Sequence, residues 1–374
     1  MSRIPMFAGL DYHEESIQVC VLDASGNVRM NKSCRNDLGE VIATMKSVGK
    51  VEAISLEACC GAADFGEQLR RLGKWRVDLA HAGYVARLKG SPDKTDYSDA
   101  RLMADLTRVG YLPRVWLAPR EIRDMRQLVR HRQRLVNQRR DLKLQIGACL
   151  REGRVKVTEY GRWSRRWVEA VKSHSDLSEA VRWIIGQKLH QVVLIGQWIK
   201  DAEKRLRDEA CRHELTGQLR QMEGIGEVTA WTLVAYIGRF DRFGTGKQLA
   251  RYCGLSPRNA SSGERSADAG LINACSKDLR AVLIQAAQRL VRTHVRWKAL
   301  ATKMLLKGKA KSLVVAAVAN RWIRSLHHRL VSGVAELVDG SVEQTNEVKR
   351  TCEVERPRGV ERTGKRTCRD KKKR

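Results

Sequence analysis

Two aspartates three residues apart, Asp96 and Asp99 in the stretch KTDYSDA from Lys94 to Ala100, open an apolar-periodic run through Leu102, Met103, Leu106 and Val109. On a helix that spacing puts both carboxylates on one face, one turn apart. Carboxylates so close repel each other unless a cation, a proton or a basic group lies between them. Asp11 and Glu57 are two further acids, each closing a short apolar run of strand length. If the fold brings all four together, they form a hard oxygen site suited to one or two magnesium ions. Two such ions can clamp the attacking and leaving oxygens of a phosphodiester exchange. First-turn aspartates also serve simply as helix caps and dipole partners, so the metal reading depends on the elements that carry them.

Those elements read as an α/β unit over residues 1–115. Met6 to Asp11, Ser16 to Leu22 and Val28 to Ser33 are runs of strand length, the last two separated by the turn ASGN. A helical stretch from Leu38 to Val48 precedes a fourth strand, Val51 to Leu56, closed by Glu57. Gly61 to Leu72 reads as helix, Arg76 to Ala80 as a fifth strand, and the KTDYSDA helix ends the unit. This order is that of a ribonuclease-H-like fold, in which Asp11 and Glu57 would end adjacent strands beside the helix bearing Asp96 and Asp99.

Charge points to the partner. Of 374 residues, 71 are Lys or Arg and 42 Asp or Glu, a formal net charge of +29. Such an excess calls for a polyanion, bound through phosphate neutralisation and counterion release. No apolar run approaches the length of a membrane span, and the N-terminus has no charged-apolar-small leader pattern. The chain therefore reads as a soluble, cytoplasmic nucleic-acid protein with no membrane partner. Its ten cysteines are scattered without a CxxC pair, which indicates neither a zinc ribbon nor a disulfide framework. The nine histidines show no metal-ligand spacing, and His327-His328 reads as part of a solvated face.

Residues 116–215 change to long helix. Leu128, Leu135 and Leu142 recur at seven, as do Ile185, Val192, Ile199 and Leu206 beyond a Trp- and Arg-rich link containing Trp163 and Trp167. This predicts an antiparallel coiled-coil arm or one face of a dimer. Its outer face, RHRQRLVNQRR from Arg130 to Arg140, could track phosphates. Residues 216–338 form a mainly helical unit in which a Gly-Ile-Gly turn, Gly224 to Gly226, precedes an apolar helix, an arrangement able to hold a phosphate. In the same unit YCGLSPRNASSG, Tyr252 to Gly263, sets Ser261 and Ser262 among Arg258, Arg265, Lys277 and Arg280. A serine among cations can attack phosphorus, because the cations stabilise the charge that develops; most loop serines are structural. Residues 339–374 carry no apolar period and read as a disordered basic tail.

Five short motifs fall in a specific order: GLD (Gly9 to Asp11), LEACCGA (Leu56 to Ala62), KTDYSDARLMADL (Lys94 to Leu106), EGIGEVTAWTLVAYIG (Glu223 to Gly238) and CGLSPRNASSG (Cys253 to Gly263). Through them the chain resembles the IS-one-ten family of bacterial insertion-sequence transposases, RNA-guided recombinases that pair a DEDD domain with a serine-bearing C-terminal domain. The resemblance implies a RuvC-like domain in which Asp11, Glu57, Asp96 and Asp99 bind magnesium. It places the nucleophile that forms a covalent phosphoserine with DNA at Ser262. It further implies donor and target DNA, a structured noncoding guide RNA, and a homo-oligomer, dimer or tetramer, that assembles a composite site from different subunits. After Ser262 this chain reads GLINACSKDLR, with Asn273, Ala274 and Cys275 where the family usually carries basic residues or glycine. A stand-alone junction-resolving nuclease using the four acids alone, or an inactive nucleic-acid-binding relic, are the alternative readings.

Overall fold

The computed structural model describes residues 5–89, 95–259 and 268–339. They divide into two compact units, Met1–Asp124 and Met125–Arg374. Ser261, Ser262, Arg265, Lys94 and the tail from 340 onward lie outside the described residues.

The first unit is built on a six-stranded mixed sheet. Strands β1 (Met6–Tyr12), β2 (Ser16–Asp23) and β3 (Val28–Arg35) form an antiparallel meander. Asp23 closes its second turn by accepting from the backbone N–H groups of Ser25 and Asn27. Helix α1 (Leu38–Val48) leads to β4 (Val51–Glu57), and α2 (Ala62–Gly73) leads to β5 (Arg76–Ala80); both strands run parallel to β1. Helices α3 (Ala82–Leu88) and α4 (Asp96–Arg108) and the two-residue strand β6 (Arg114–Val115) complete the order β3-β2-β1-β4-β5-β6. The five longer strands and α1, α2 and α4 stand where the apolar patterning puts them; α3 and β6 are too short to show a period.

Both faces of the sheet are covered, which explains the nearly unbroken apolar sequence of β2. Ile17, Val19 and Val21 face one way, packing with Leu10, Ile54 and Leu56 against Val41, Met45, Phe65 and Leu69. Cys20 and Leu22 face the other way, against Ala100 and Ala104 of α4. The closest approach is at Gly9, where a Cβ would collide with backbone atoms of Ala100 and Ala104 and with Met103 Cβ. Ser55 and Thr107 lock the same contact: Thr107 Oγ1 is 2.6 Å from Ser55 Oγ, which lies 3.0 Å from the Met103 carbonyl.

In the second unit α5 (Arg120–Glu152), which begins in the first, and α7 (Glu179–Ala210) run antiparallel. Arg132 meets Glu203 at 2.7 Å and Lys188 donates to Gln145 Oε1 at 2.6 Å, so the two helices pair in opposite directions along their length. Leu135 packs with Ile195 and Ile199, while Ile146 and Leu150 pack with Ile185 and Leu189. Between them α6 (Arg165–Lys172) buries Trp167 and Val171 in that second cluster. The link's tryptophans thus pack the end of the helix pair, with Lys143 4.7 Å from the Trp163 ring centroid.

Helix α8 (Glu214–Arg220) and the Gly-Ile-Gly turn lead to α9 (Glu227–Tyr236), which is apolar all round and buried from Thr229 to Tyr236. Gly224 holds the turn at φ 80°, a left-handed conformation that favours glycine, and packs on Leu290. Helix α10 (Gly246–Tyr252), a hairpin of β7 (Pro257–Asn259) with β8 (Asp268–Leu271), and helices α11 (Lys277–Thr293), α12 (Val295–Leu306) and α13 (Lys311–Asp339) follow. On α13, Val314, Val318, Trp322, Leu326 and Leu330 form the buried stripe. His327 is buried with it, its Nε2 2.8 Å from the Phe243 carbonyl, so the expected solvated pair is only half right: His328 alone is exposed. No helix among the described residues is long and apolar enough to cross a membrane.

Candidate metal centre

The acids sit where sheet geometry directs them. In the parallel pair β1–β4, Leu10 registers with Leu56, so the next residues, Asp11 and Glu57, stand side by side at the strands' carboxyl ends. Strand alternation puts Asp11 on the face of Gly9 and Glu57 on the face of Ser55, and both of these meet α4. Helix α4 starts at that same end: Thr95 caps it by accepting from Ser98 N at 3.2 Å, which leaves Asp96 and Asp99 in the first turn. A side-chain relay fixes this start. Gln18, the register partner of Asp11, donates to Asn31 Oδ1 at 2.7 Å, and Asn31 donates to the Tyr97 carbonyl at 3.1 Å.

Asp11 and Asp96 converge on a third group that the sequence reading overlooked. His13 Nε2 lies 3.2 Å from Asp11 Oδ2 and 3.4 Å from Asp96 Oδ1. One ligand atom from each of Asp11, His13 and Asp96 falls within 4.8 Å of the others. Asp99 turns instead to Lys89, whose Nζ is 2.6 Å from its Oδ2. Glu57 is half-buried and outside the three-residue cluster, though its charge, like that of Asp11, is felt at the Cys59 thiol. Burial is the first cause that pushes this thiol above its ordinary range, and the two carboxylates push it further.

Burial likewise raises the Asp11 carboxyl above its usual range. The hydrogen bond and charge of His13 pull it back, and the charges of Asp96 and Asp99 push it up again. Such a site is short of positive charge. An imidazole bridging two carboxylates and an ammonium on a third are the substitutes this chain supplies, and a divalent cation fits the same oxygens. The weak signal for His13 was its position two residues past the strand-ending aspartate; Lys89 gave none.

The second set of candidates, around the serines, is only partly described. Residues 260–267 lie in sequence between β7 and β8, and Asn259 registers with Asp268. Of the expected basic neighbours, Arg258 and Lys277 are exposed, and Arg280 donates to the Ile272 carbonyl at 2.8 Å.

A mixed sheet ending in clustered carboxylates, joined to a mostly helical second unit, agrees with what sequence comparison finds. Residues 8–154 match the model of the DEDD transposases of the IS110 group, and residues 217–302 match that of the Transposase IS116/IS110/IS902 family. The transposase for insertion sequence element IS1111A of Coxiella burnetii is 26% identical over 326 residues, covering 84% of this chain and 86% of the relative. That for IS1328 of Yersinia enterocolitica is 25% identical over 281 residues, 75% of this chain and 82% of the relative. A probable family 20 transposase of Pseudomonas aeruginosa is 26% identical over 283 residues, 73% of this chain and 82% of the relative. The protein is a transposase by class. Within that class, the chain belongs to the IS110/IS116/IS902 family.

Proposed function

We propose that this transposase cuts and rejoins DNA strands with a four-carboxylate magnesium site, Asp11, Glu57, Asp96 and Asp99, on a ribonuclease-H-like, RuvC-like unit, together with Ser262 as nucleophile. What carries the reading is the convergence of Asp11 and Asp96 on one point at the carboxyl end of β1, with His13 between them. Magnesium bound there would supply the positive charge that phosphodiester exchange needs. Asp11 would hold it from the sheet and Asp96 from α4. Glu57 and Asp99 would complete the set, with Asp99 paired to Lys89 in this structure. His13 keeps the Asp11 and Asp96 carboxylates oriented toward each other.

Ser262 Oγ loses its proton and forms a bond to a DNA phosphorus. The bond from that phosphorus to a deoxyribose oxygen breaks, and the departing oxygen takes up a proton. Attack by the hydroxyl of another strand reverses these steps and joins the new pair. Base pairing by a structured noncoding RNA with donor and target DNA supplies sequence choice. Backbone contacts from a chain of net charge +29, including the basic face of α5, supply affinity. The site is composite in a dimer or tetramer, and the work is done in the bacterial cytoplasm.

The test is magnesium-dependent strand cleavage with the element's own DNA ends and flanking RNA. Asp96→Asn is expected to lower it by about 10²–10³-fold, the scale of losing one charge-stabilising group, while nucleic-acid binding persists. Undiminished cleavage by this variant would remove the carboxylate site from the mechanism.

A further inference from the structure

A cavity of about 1080 Å³ opens in the second unit among the start of α10, α12 and α13. Its walls carry Lys247, Arg296, Arg321, Arg324 and Arg329 together with His328, and among the described residues no Asp or Glu lines it. Helical periodicity produces much of this. Arg321, Arg324 and His328 recur at three and four residues along α13, on a different face from the stripe of Trp322, Leu326 and Leu330 that anchors the helix, and Arg329 borders that stripe. Arg296 is held over the Trp297 ring, 4.8 Å from its centroid, and buried His327 ties α13 to the segment before α10. The cations thus stand on packed helices.

Among the described residues, none of these five cations lies within ion-pair distance of a carboxylate. Arginines elsewhere in the chain commonly have one, as Arg132 has Glu203 and Arg239 has Asp241. Like charges gathered in a concave wall without an internal counter-charge destabilise the free protein and focus a positive potential. Four guanidinium forks suit phosphate oxygens. A concave basic wall fits a strand of phosphates better than a flat anionic lipid surface.

We propose that this cavity is a binding site for the phosphodiester backbone of a nucleic acid, built from residues other than the four carboxylates and Ser262. The proposal rests on the reading of the protein as a nucleic-acid enzyme and adds to it the place where backbone is gripped. Trp297 is buried, so the site grips phosphates without stacking on a base and is indifferent to sequence.

The test uses the full chain and labelled probes of roughly 20 nucleotides, longer than a typical single-strand site: single-stranded RNA, single-stranded DNA and duplex DNA, each titrated by fluorescence anisotropy at several salt concentrations. The variant Arg296→Gln, Arg321→Gln, Arg324→Gln is expected to weaken at least one probe by about tenfold or more. The slope of log affinity against log salt should flatten by about one for each cation removed. The probe most affected identifies the polymer. A matched control, Lys298→Gln, Lys303→Gln, Lys307→Gln, removes equal charge from α12 and its C-cap outside this cavity and should cost much less. Arg321→Lys, Arg324→Lys keeps the charge and should retain the salt slope, which separates backbone binding from a loss of folding.

Equal losses in the two triple variants would overturn the proposal in favour of net charge alone. An unchanged cavity variant would overturn it while leaving nucleic-acid binding in place. A wild-type chain that binds none of the probes would remove both the cavity and the reading beneath it.

Discussion

Ser262→Ala is expected to abolish strand exchange, with a loss of at least about 10⁴-fold, the scale seen when a covalent nucleophile is removed. The covalent protein–DNA adduct should disappear with it, while RNA and DNA binding stay near wild type. The reason is chemical: without Oγ there is no atom to hold the cut strand, and four carboxylates with magnesium could at most hydrolyse it. The outcome also separates the alternatives. A stand-alone nuclease would keep cleaving after the substitution, and a relic would show no activity to lose. Denaturing gel electrophoresis of protein trapped on labelled DNA gives the answer, and a wild-type adduct level in the variant would remove Ser262 from the reaction.

Gly9→Val carries the largest expected effect on folding. A Cβ at this position collides with the backbone of Ala100 and Ala104, which cannot swing aside as a side-chain tip can. Valine adds two further carbons on a fully packed face, so α4 must lift from β1 or β1 must distort. Overpacking of this kind costs about 3 kcal/mol or more. Because α4 also carries Asp96 and Asp99, any variant that still folds should lose cleavage as well. Thermal unfolding and cleavage measured on the same preparation test this, and a stable, active Gly9→Val protein would contradict the close α4–β1 contact.

Much of that contact was legible beforehand. The strands and the acids near the carboxyl ends of β1 and β4 follow from apolar patterning, though β1 runs one residue past Asp11 to Tyr12, and the Asp96–Asp99 spacing follows from the helical period. What the linear pattern could not supply was pairing across the fold. His13 lies just beyond β1, where the strand period has ended, so nothing in the sequence aims its ring at Asp11 and Asp96. Lys89 and Asp99 lie ten residues apart at the ends of different helices. His327 and His328 look alike in sequence but fall on either side of the boundary between the buried and basic stripes of α13. The motif GLD reads as the end of a strand, while the need for its glycine appears only once α4 is seen lying against it.

The central claim is that the crowded carboxylates beside α4 are a cation site. With its folded value raised, the Asp11 carboxyl favours folding below the ordinary carboxylate range and opposes it as pH rises through the raised value. In divalent-free buffer at neutral pH, Asp11→Asn should therefore unfold at a higher temperature than wild type, by roughly 0.5–1 kcal/mol of stability. A ligand bound only by the folded state stabilises it in proportion to its occupancy, so added magnesium should raise the wild-type midpoint and leave that of Asp11→Asn nearly unmoved. The most direct measurement is thus thermal unfolding of both proteins across a magnesium titration. The account predicts curves that start with the variant higher and cross as wild type gains metal; parallel curves, with the same response in both proteins, would contradict it.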